Sequence, residues 1–185
     1  MTGDTATRPI RPLRGYFGVG VEGISKPMNL GAILRTAHAF GASFAFTVDA
    51  HHKALDVFQS DTARSFRNVP YYGWDGVDDM ALPQGCSLVG IELTDDAVDL
   101  PSFRHPRACA YVLGRERGSL TPEMQARCEH IVRIPTKFCV NVSVAAAITL
   151  YDRTLAMGGY PDRPIMPGGP ELGSEESWFA PKIRR

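Results

Sequence analysis

The chain has 185 residues, of which 44% are hydrophobic, and its 20 basic residues balance its 20 acidic residues. This length suits one domain with a core of its own and is too short for two full domains. A net charge of zero argues against a strongly basic nucleic-acid binder, but it leaves RNA binding open, because RNA binding depends on local patches of charge.

The first part of the chain predicts a mobile segment, a strand and a helix. Residues 1–14 carry no periodic apolar pattern, whereas residues 15–21 alternate as a strand does. A polar turn follows, and its Asn29 is a residue type that caps helices. The next helix should present one apolar face to a sheet, formed by Leu30, Ile33, Leu34, Ala37 and Phe40.

Arg35 lies on this helix but outside the apolar face. It follows Gly31 by one turn, and the missing side chain of that glycine leaves space beside the guanidinium group. Arg35 could therefore contact a ligand, or it could simply be solvated. The helix by itself favours neither interpretation.

The middle of the chain continues a parallel α/β pattern. Gly41 is expected to end the helix, and residues 43–48 form a second strand, so that strand, helix and strand follow one another. Residues 49–68 are polar and predict a surface excursion with a short helix near Asp61. A third strand is predicted over residues 69–72, and Pro70, which cannot donate a backbone hydrogen bond, indicates either a sheet edge or the start of the strand.

Three further segments read as buried elements. Residues 88–93 predict a strand that ends in a polar turn, and ligands of open parallel sheets bind beyond such strand ends. Residues 108–113 predict another strand, followed by a helix for which Thr121 is the cap. Residues 130–134 predict the last strand.

The C-terminal part begins with a helix that is apolar nearly all round, over residues 142–151. Such a helix is buried on several sides, and part of its surface could be a subunit interface. The composition then shifts to proline and glycine. We therefore expect one domain over residues 15–158 and an irregular tail over residues 159–185.

The composition also bears on localisation and on metals. No apolar run reaches about 18 residues, and the N-terminus lacks the apolar core of a signal peptide, which predicts a cytoplasmic protein without a membrane partner. The four cysteines form no Cys-x-x-Cys pair and have no metal-like spacing with the histidines. We therefore expect reduced cysteines, and neither disulfides nor a metal site.

Three segments carry most of the chemistry that the chain offers. Residues 29–37 read Asn-x-Gly-x-x-x-Arg-x-Ala, and residues 113–120 read Leu-Gly-Arg-Glu-Arg-Gly-Ser-Leu. The two glycines of the second segment flank a glutamate at a strand end, where the backbone can approach a ligand closely. The third segment joins Ile-Pro at residues 134–135 to Asn-Val-Ser-Val-Ala-Ala at residues 141–146.

In this order, the three segments resemble the motifs of the SpoU/TrmH family of the SPOUT superfamily, which are knotted RNA ribose methyltransferases. The resemblance covers residues 17–152, and its third segment is the most specific. Two departures occur in that segment. Cys139 and Val140 stand where the family usually has Ser-Leu, and the loop between Ile134 and Asn141 is shorter than expected.

The resemblance implies an α/β fold with a mostly parallel sheet, flanked by helices, whose C-terminal part is threaded into a deep trefoil knot. It also implies S-adenosylmethionine as cofactor, RNA as substrate, and an obligate homodimer with the site near the subunit boundary. On the matching positions, the cofactor would be bound largely through backbone by Leu93, Gly114, Gly118, Ile134 and Val140. The catalytic group would comprise Arg35, Asn29, Glu116 and Asn141.

The sequence therefore predicts an S-adenosylmethionine-dependent methyltransferase that acts on the 2′-hydroxyl of a ribose in RNA. A tRNA substrate is favoured over rRNA, because we expect no separate RNA-binding domain ahead of the fold. The family assigns the matching arginine, Arg35, to the ribose hydroxyl. Because a guanidinium is normally protonated, Arg35 acts as a base only in a strongly altered environment, whereas positioning of ribose or phosphate needs none.

Two other interpretations stay open. A catalytically silent, knotted RNA-binding or assembly protein would fit the replacement of the family's serine by Cys139. An unrelated nucleotide-binding α/β protein has less support, because no Gly-x-Gly-x-x-Gly or Walker-type loop follows a strand.

Overall fold

The structure is a computed structural model that describes residues 15–56, 68–115, 118–160 and 167–168. Of Leu55 and Asp56 only the backbone is described. The predicted segment 1–14, the predicted helix near Asp61 and nearly all of the predicted tail lie outside the described residues. The limits of the domain therefore stay predictions.

Seven strands form one sheet in this part of the chain. They are β1 (Tyr16–Glu22), β2 (Phe44–Val48), β3 (Tyr71–Trp74), β4 (Ser87–Ile91), β5 (Val98–Asp99), β6 (Ala108–Leu113) and β7 (His130–Arg133). Neighbouring strands run parallel, in the order β3-β2-β1-β6-β4-β7-β5. The predicted α/β fold with a mostly parallel sheet is confirmed, and the strand that follows Pro70 is an edge strand, which is one of the two predicted alternatives.

Helices cover the sheet and connect its strands. The α-helices are α1 (Pro27–Ala39), α2 (Pro122–Arg127) and α3 (Val142–Ala156), and short 3₁₀ helices cover His52–Asp56 and Leu100–Ser102. None of the helices in the described ranges is long and apolar enough to cross a membrane.

Alternate residues of the central strands face opposite sides of the sheet. Tyr111 of β6 belongs to the core that α1 and α3 share, whereas its neighbour Val112 belongs to the core on the α2 side. The apolar face predicted for α1 is buried, and four of its residues are at most 2% exposed: Leu30, Ile33, Leu34 and Ala37. Burial of this apolar face fixes the orientation of α1 against the sheet.

The structure corrects several predicted element boundaries. The cap residue of α1 is Lys26 and not Asn29, because Pro27 takes the first helical position, where its fixed φ favours a helix start. Asn29 therefore lies inside the first turn, where it is 7% exposed. Strand β4 stops at Ile91, two residues earlier than predicted, and the two-residue strand β5 was not predicted. Such a short strand leaves no periodic pattern in the sequence.

A buried polar cluster lies near the start of β6. Arg153 of α3 is 1% exposed and donates to two backbone carbonyl oxygens, at 2.7 and 3.0 Å. Nδ1 of His105 lies 2.6 Å from the Tyr111 hydroxyl, and its Nε2 lies 2.9 Å from the Asp152 carboxylate. Burial lowers the pKa of His105, although the hydrogen bond with Asp152 acts in the opposite direction. Folding therefore favours the neutral imidazole.

Candidate functional site

A cleft of about 250 Å³ opens at one edge of the sheet. Ile91 ends β4, Leu113 ends β6 and Ile134 directly follows β7, and all three residues line the cleft. Parallel strands end at the same edge of a sheet, so residues that are distant in the sequence meet there. The amino-terminal ends of α1 and α3 complete the wall.

One side of the cleft is formed by residues of the loop between β6 and α2, of which residues 114–115 and 118–121 are described. A Cβ atom at Gly114 would lie 2.8 Å from Oε2 of Glu92 and 3.3 Å from the backbone nitrogen of Leu120. A glycine is thus the residue that fits here while its neighbours keep their places. Gly118 has a φ of +120°, in the region that favours glycine. This wall of the cleft therefore presents backbone that a ligand can approach closely.

Two carboxyl groups hold this loop against the strand ends. Glu92 follows β4, and its two oxygens accept hydrogen bonds from the backbone amides of Leu93 at 2.8 Å and Leu120 at 2.7 Å. Glu22 ends β1 and is 1% exposed. It accepts hydrogen bonds from the backbone amide and the hydroxyl of Thr121, at 2.9 and 2.6 Å. The loop is therefore tied to two separate strands.

The opposite side of the cleft contains two asparagines that are far apart in the sequence. Asn141 caps α3, because its Oδ1 accepts hydrogen bonds from the backbone amide and the hydroxyl of Ser143, at 2.9 and 2.7 Å. Its Nδ2 donates to Oδ1 of Asn29 at 3.3 Å. Asn141 is thus the N-cap of α3 and links the first turns of α1 and α3.

Charged side chains are few in the described lining of the cleft. They are Lys26, Glu92 and Arg115. Nη2 of Arg115 donates to Asp49 at 3.0 Å, with the two side chains 38% and 59% exposed. An ion pair this exposed contributes little to stability, but it directs Arg115 toward the end of β2. Of the three charged residues in the described lining, Glu92 is the one that carries a carboxylate.

The structure gathers most of the predicted site residues at this cleft. All five residues predicted to bind a cofactor line it: Leu93, Gly114, Gly118, Ile134 and Val140. Asn29 and Asn141 line it as well. Arg35 is exposed on α1 and is not among the lining residues of this single chain. Glu116 lies outside the described residues. The roles assigned to these residues stay predictions.

The two carboxyl groups that position the loop, those of Glu92 and Glu22, were not predicted from the sequence. Glu92 was assigned to a strand, although the first polar side chain after a buried parallel strand is a position where ligands bind. Glu22 gives no such signal, since only the folded chain brings it to Thr121. Lys26 was also missed as a lining residue. Cys139, which stands at the family's usual serine, is exposed and lines the cleft.

The lining residues indicate what the cleft can bind. It offers apolar side chains, closely approachable backbone, two amide side chains and one carboxylate, which suits a small organic ligand with both apolar and polar parts. In the described ranges of the chain, no group of three or more histidines, cysteines, aspartates and glutamates is placed to hold a metal ion.

Comparison with known proteins gives matches over most of the chain. A family model, the SpoU rRNA Methylase family, matches residues 17–151. The tRNA (guanosine(18)-2′-O)-methyltransferase of Escherichia coli is 30% identical over 140 residues, which cover 72% of this chain and 61% of that protein. The enzyme of the same name from Thermus thermophilus is 29% identical over 160 residues, covering 82% of this chain and 81% of that protein.

Solved structures share the fold. The crystal structure of the AdoMet-bound rRNA methyltransferase from Sinorhizobium meliloti superposes with a TM-score of 0.67 at 23% identity, over 81% of this chain and 61% of that one. The chain described here spans about 61% of the length of the E. coli relative, so part of that protein has no counterpart in the match.

Proposed function

Because this chain belongs to the SpoU rRNA Methylase family, we propose that it transfers a methyl group from S-adenosylmethionine to the 2′-hydroxyl of a ribose in RNA. The observation that carries the proposal is the convergence of three separate motifs on one cleft, through Asn29, Gly114 and Asn141. These residues come from α1, the loop after β6 and the start of α3, and a single ligand could contact all of them.

The cleft fits the proposed cofactor. At Gly114 a Cβ atom would meet Glu92 and Leu120, so glycine lets the chain pass close to both of them while its backbone lines the cleft. Ile91 and Leu113 add apolar surface at the strand ends. The volume of about 250 Å³ lies slightly below the range of roughly 300–1,000 Å³ for small-molecule sites, and the cleft is open to solvent.

When bound, S-adenosylmethionine supplies a methyl group on a positively charged sulfur, which makes that methyl group open to attack by an oxygen nucleophile. The protein has to orient the ribose hydroxyl in line with the methyl group and to manage the hydroxyl proton. Asn29 and Asn141 already share a hydrogen bond at the cleft, and the second amide hydrogen of Asn141 can be donated to a ribose oxygen. We assign them to orientation of the substrate, as we do Glu116.

Arg35 has a different place in the proposal. A guanidinium carries five donors and no acceptor, so it binds a ribose or phosphate oxygen more readily than it takes a proton. Because Arg35 is exposed and lies outside the cleft of its own chain, it reaches substrate either on RNA bound across α1 or in the cleft of a second subunit.

A homodimer is supported by an exposed apolar surface on the two packed helices α1 and α3. Met28 of α1 is 78% exposed, and Val144, Tyr151 and Leu155 of α3 are 47%, 46% and 36% exposed. A second copy that covers this surface would remove the apolar area from water. Light scattering should then give twice the chain mass of 20.2 kDa, and Tyr151→Glu should shift the protein toward the monomer.

The proposed C-terminal knot is supported by the position of β7. Strands β4 and β5 follow each other in the sequence, yet β7 lies between them in the sheet. The chain that follows α2 therefore passes between β4 and β5, next to the connection that joins β4 to β6. It then continues into α3, which packs on the same face of the sheet as α1. Knots are nearly absent from proteins, so the proposed knot would be a specific property of the family fold.

The proposed substrate is tRNA in preference to rRNA. Two relatives that match most of this chain are named as tRNA (guanosine(18)-2′-O)-methyltransferases, and one of them is covered over 81% of its length. Mitochondrial rRNA methyltransferase 1 of Homo sapiens is also 29% identical, over 76% of this chain, but the match covers only 46% of that protein. The tRNA assignment therefore rests on the greater share of the T. thermophilus tRNA enzyme that this chain covers.

The test is transfer of a labelled methyl group from S-adenosylmethionine to purified tRNA and rRNA, followed by digestion and nucleoside mass spectrometry. The expected product is a 2′-O-methylated nucleoside from tRNA. A methylated base would contradict the ribose assignment. Binding of RNA without any transfer would favour the catalytically silent alternative, which the exposed Cys139 at the cleft supports.

A further inference from the structure

We infer that Glu92 allows the cleft to distinguish the cationic methyl donor from the spent cofactor, and so limits inhibition by product. The inference rests on the proposed function, since it concerns how the proposed cofactor is held. It gives Glu92, which lies outside the three sequence motifs, a role in positioning the cofactor and in selecting between its two forms.

The first observation is the place of Glu92 in the cleft. Among the charged residues of the described lining, it is the one carboxylate. Each of its oxygens accepts one backbone amide, from Leu93 at 2.8 Å and from Leu120 at 2.7 Å. A carboxylate has about four acceptor positions, so these two bonds fix the group and leave it with acceptor capacity.

The second observation is that no cation in the described ranges lies within ion-pair distance of Glu92. The ion pairs found there are formed by other residues. Arg115, which lines the same cleft, has its guanidinium group on Asp49 at 3.0 Å. Within the described residues the negative charge of Glu92 is therefore held in a fixed place without an ion-pair partner, and a cationic ligand in the cleft would add a favourable charge interaction with it.

This arrangement acts differently on the two forms of the cofactor. S-adenosylmethionine carries a positive sulfur. When the methyl group leaves, the electron pair of the broken bond stays on the sulfur, which becomes a neutral thioether. The amino and carboxyl groups of the two forms are the same. A fixed negative charge in a partly exposed cleft therefore favours the donor over S-adenosylhomocysteine, by about three- to tenfold in affinity.

A purely structural role of Glu92 predicts a different result. If Glu92 only held the loop through the amide of Leu120, its loss would weaken both ligands by the same factor. The ratio of the two dissociation constants separates the roles, because it responds to the charge of the ligand and not to the order of the loop.

The experiment is isothermal titration calorimetry of the full chain with S-adenosylmethionine and with S-adenosylhomocysteine. Glu92→Gln keeps the length of the side chain but removes its charge, and the preference for the donor should fall by about three- to tenfold. Glu92→Asp shortens the side chain but keeps the charge, so the preference should stay within about twofold while both affinities fall.

Glu129→Gln is the matched control. Glu129 is exposed, directly precedes β7 at the opposite edge of the sheet and binds the hydroxyl of Ser87 at 2.8 Å. It loses the same formal charge outside the cleft, so the preference should not change. Circular dichroism checks that each variant is folded. Should Glu92→Gln fail to fold, the wild-type preference should still decrease between about 0.05 and 0.5 M salt, because salt screens the charge.

The results distinguish this inference from the proposal on which it rests. Equal weakening of both ligands by Glu92→Gln, or a wild-type preference that is independent of salt, would overturn the selectivity role and leave the proposed function standing. If the wild-type protein binds neither ligand, the proposed function itself is wrong, and the inference falls with it.

Discussion

Replacement of Gly114 by alanine tests whether the cleft depends on the close approach of the loop to Glu92. The added Cβ would lie 2.8 Å from Oε2 of Glu92, closer than side-chain carbons approach oxygen in proteins. The carboxylate could move away, but it would then lose its hydrogen bond with the amide of Leu120. The cost is therefore that of one hydrogen bond to a charged group in a half-buried position.

Such a bond is worth about 1.5–3 kcal/mol, and partial exposure places the expected loss at about 1–2 kcal/mol. For a chain of this size, the melting temperature should fall by about 2–8 °C. Binding of S-adenosylmethionine should weaken by at least about tenfold, because the same atoms form the wall of the cleft. Thermal denaturation followed by circular dichroism and calorimetric titration with the cofactor measure the two effects.

Gly76→Ala is the matched control, because a Cβ there would meet only Asp79, at an ordinary contact distance of 3.8 Å. It should change stability by less than about 0.5 kcal/mol. A Glu92→Ala background removes the contact that causes the strain, so Gly114→Ala should cost less there than in the wild type. Unchanged melting and cofactor affinity in Gly114→Ala would refute the proposed role of this backbone wall.

Three further substitutions have expected outcomes. Arg35→Ala should leave stability within about 0.5 kcal/mol, because the side chain is exposed, and should abolish labelled methyl transfer to RNA; retained transfer would remove Arg35 from the mechanism. Asn141→Asp keeps the oxygen that caps α3, but its second oxygen replaces the Nδ2 donor and faces the Oδ1 of Asn29. Methyl transfer should therefore fall while the helix stays intact by circular dichroism, whereas full activity would argue against the contact. Because burial lowers the pKa of His105, the unfolded state binds more protons below about pH 6.5. The melting temperature of the wild type should therefore fall as the pH drops through that value, and less steeply for His105→Gln; parallel curves would mean that His105 contributes nothing.

The local elements of this fold could largely be predicted from the sequence, because their signals lie within a few residues. Thr121 followed by proline marks the start of α2, and its hydroxyl does accept the amide of Met124. Gly41 marks the end of α1 and has a φ of +72°. The error at the start of α1 came from two competing local signals, and the proline at the first position outweighed the asparagine two residues later.

The candidate site could be predicted only in part. Its motif residues were found through their resemblance to a family, and seven of the nine predicted residues line the cleft. Glu92 and Glu22 lay outside every motif. Glu92 could have been found as the first polar side chain after a buried parallel strand, whereas only the folded chain brings Glu22 to Thr121. The sequence also could not show that Arg35 lies outside the cleft of its own chain. The position of a residue on a helix does not specify which other part of the protein faces it.

The sequence by itself determined the parallel α/β class, the order of the strands and helices along the chain apart from β5, and the glycine that follows α1. Only the tertiary structure decided that β6 lies between β1 and β4, that β7 lies between β4 and β5, and that Asn141 meets Asn29. The physical reason is the range of the forces involved. Side-chain periodicity and helix capping act over a few residues, whereas strand order and the cleft depend on how distant segments share one buried core.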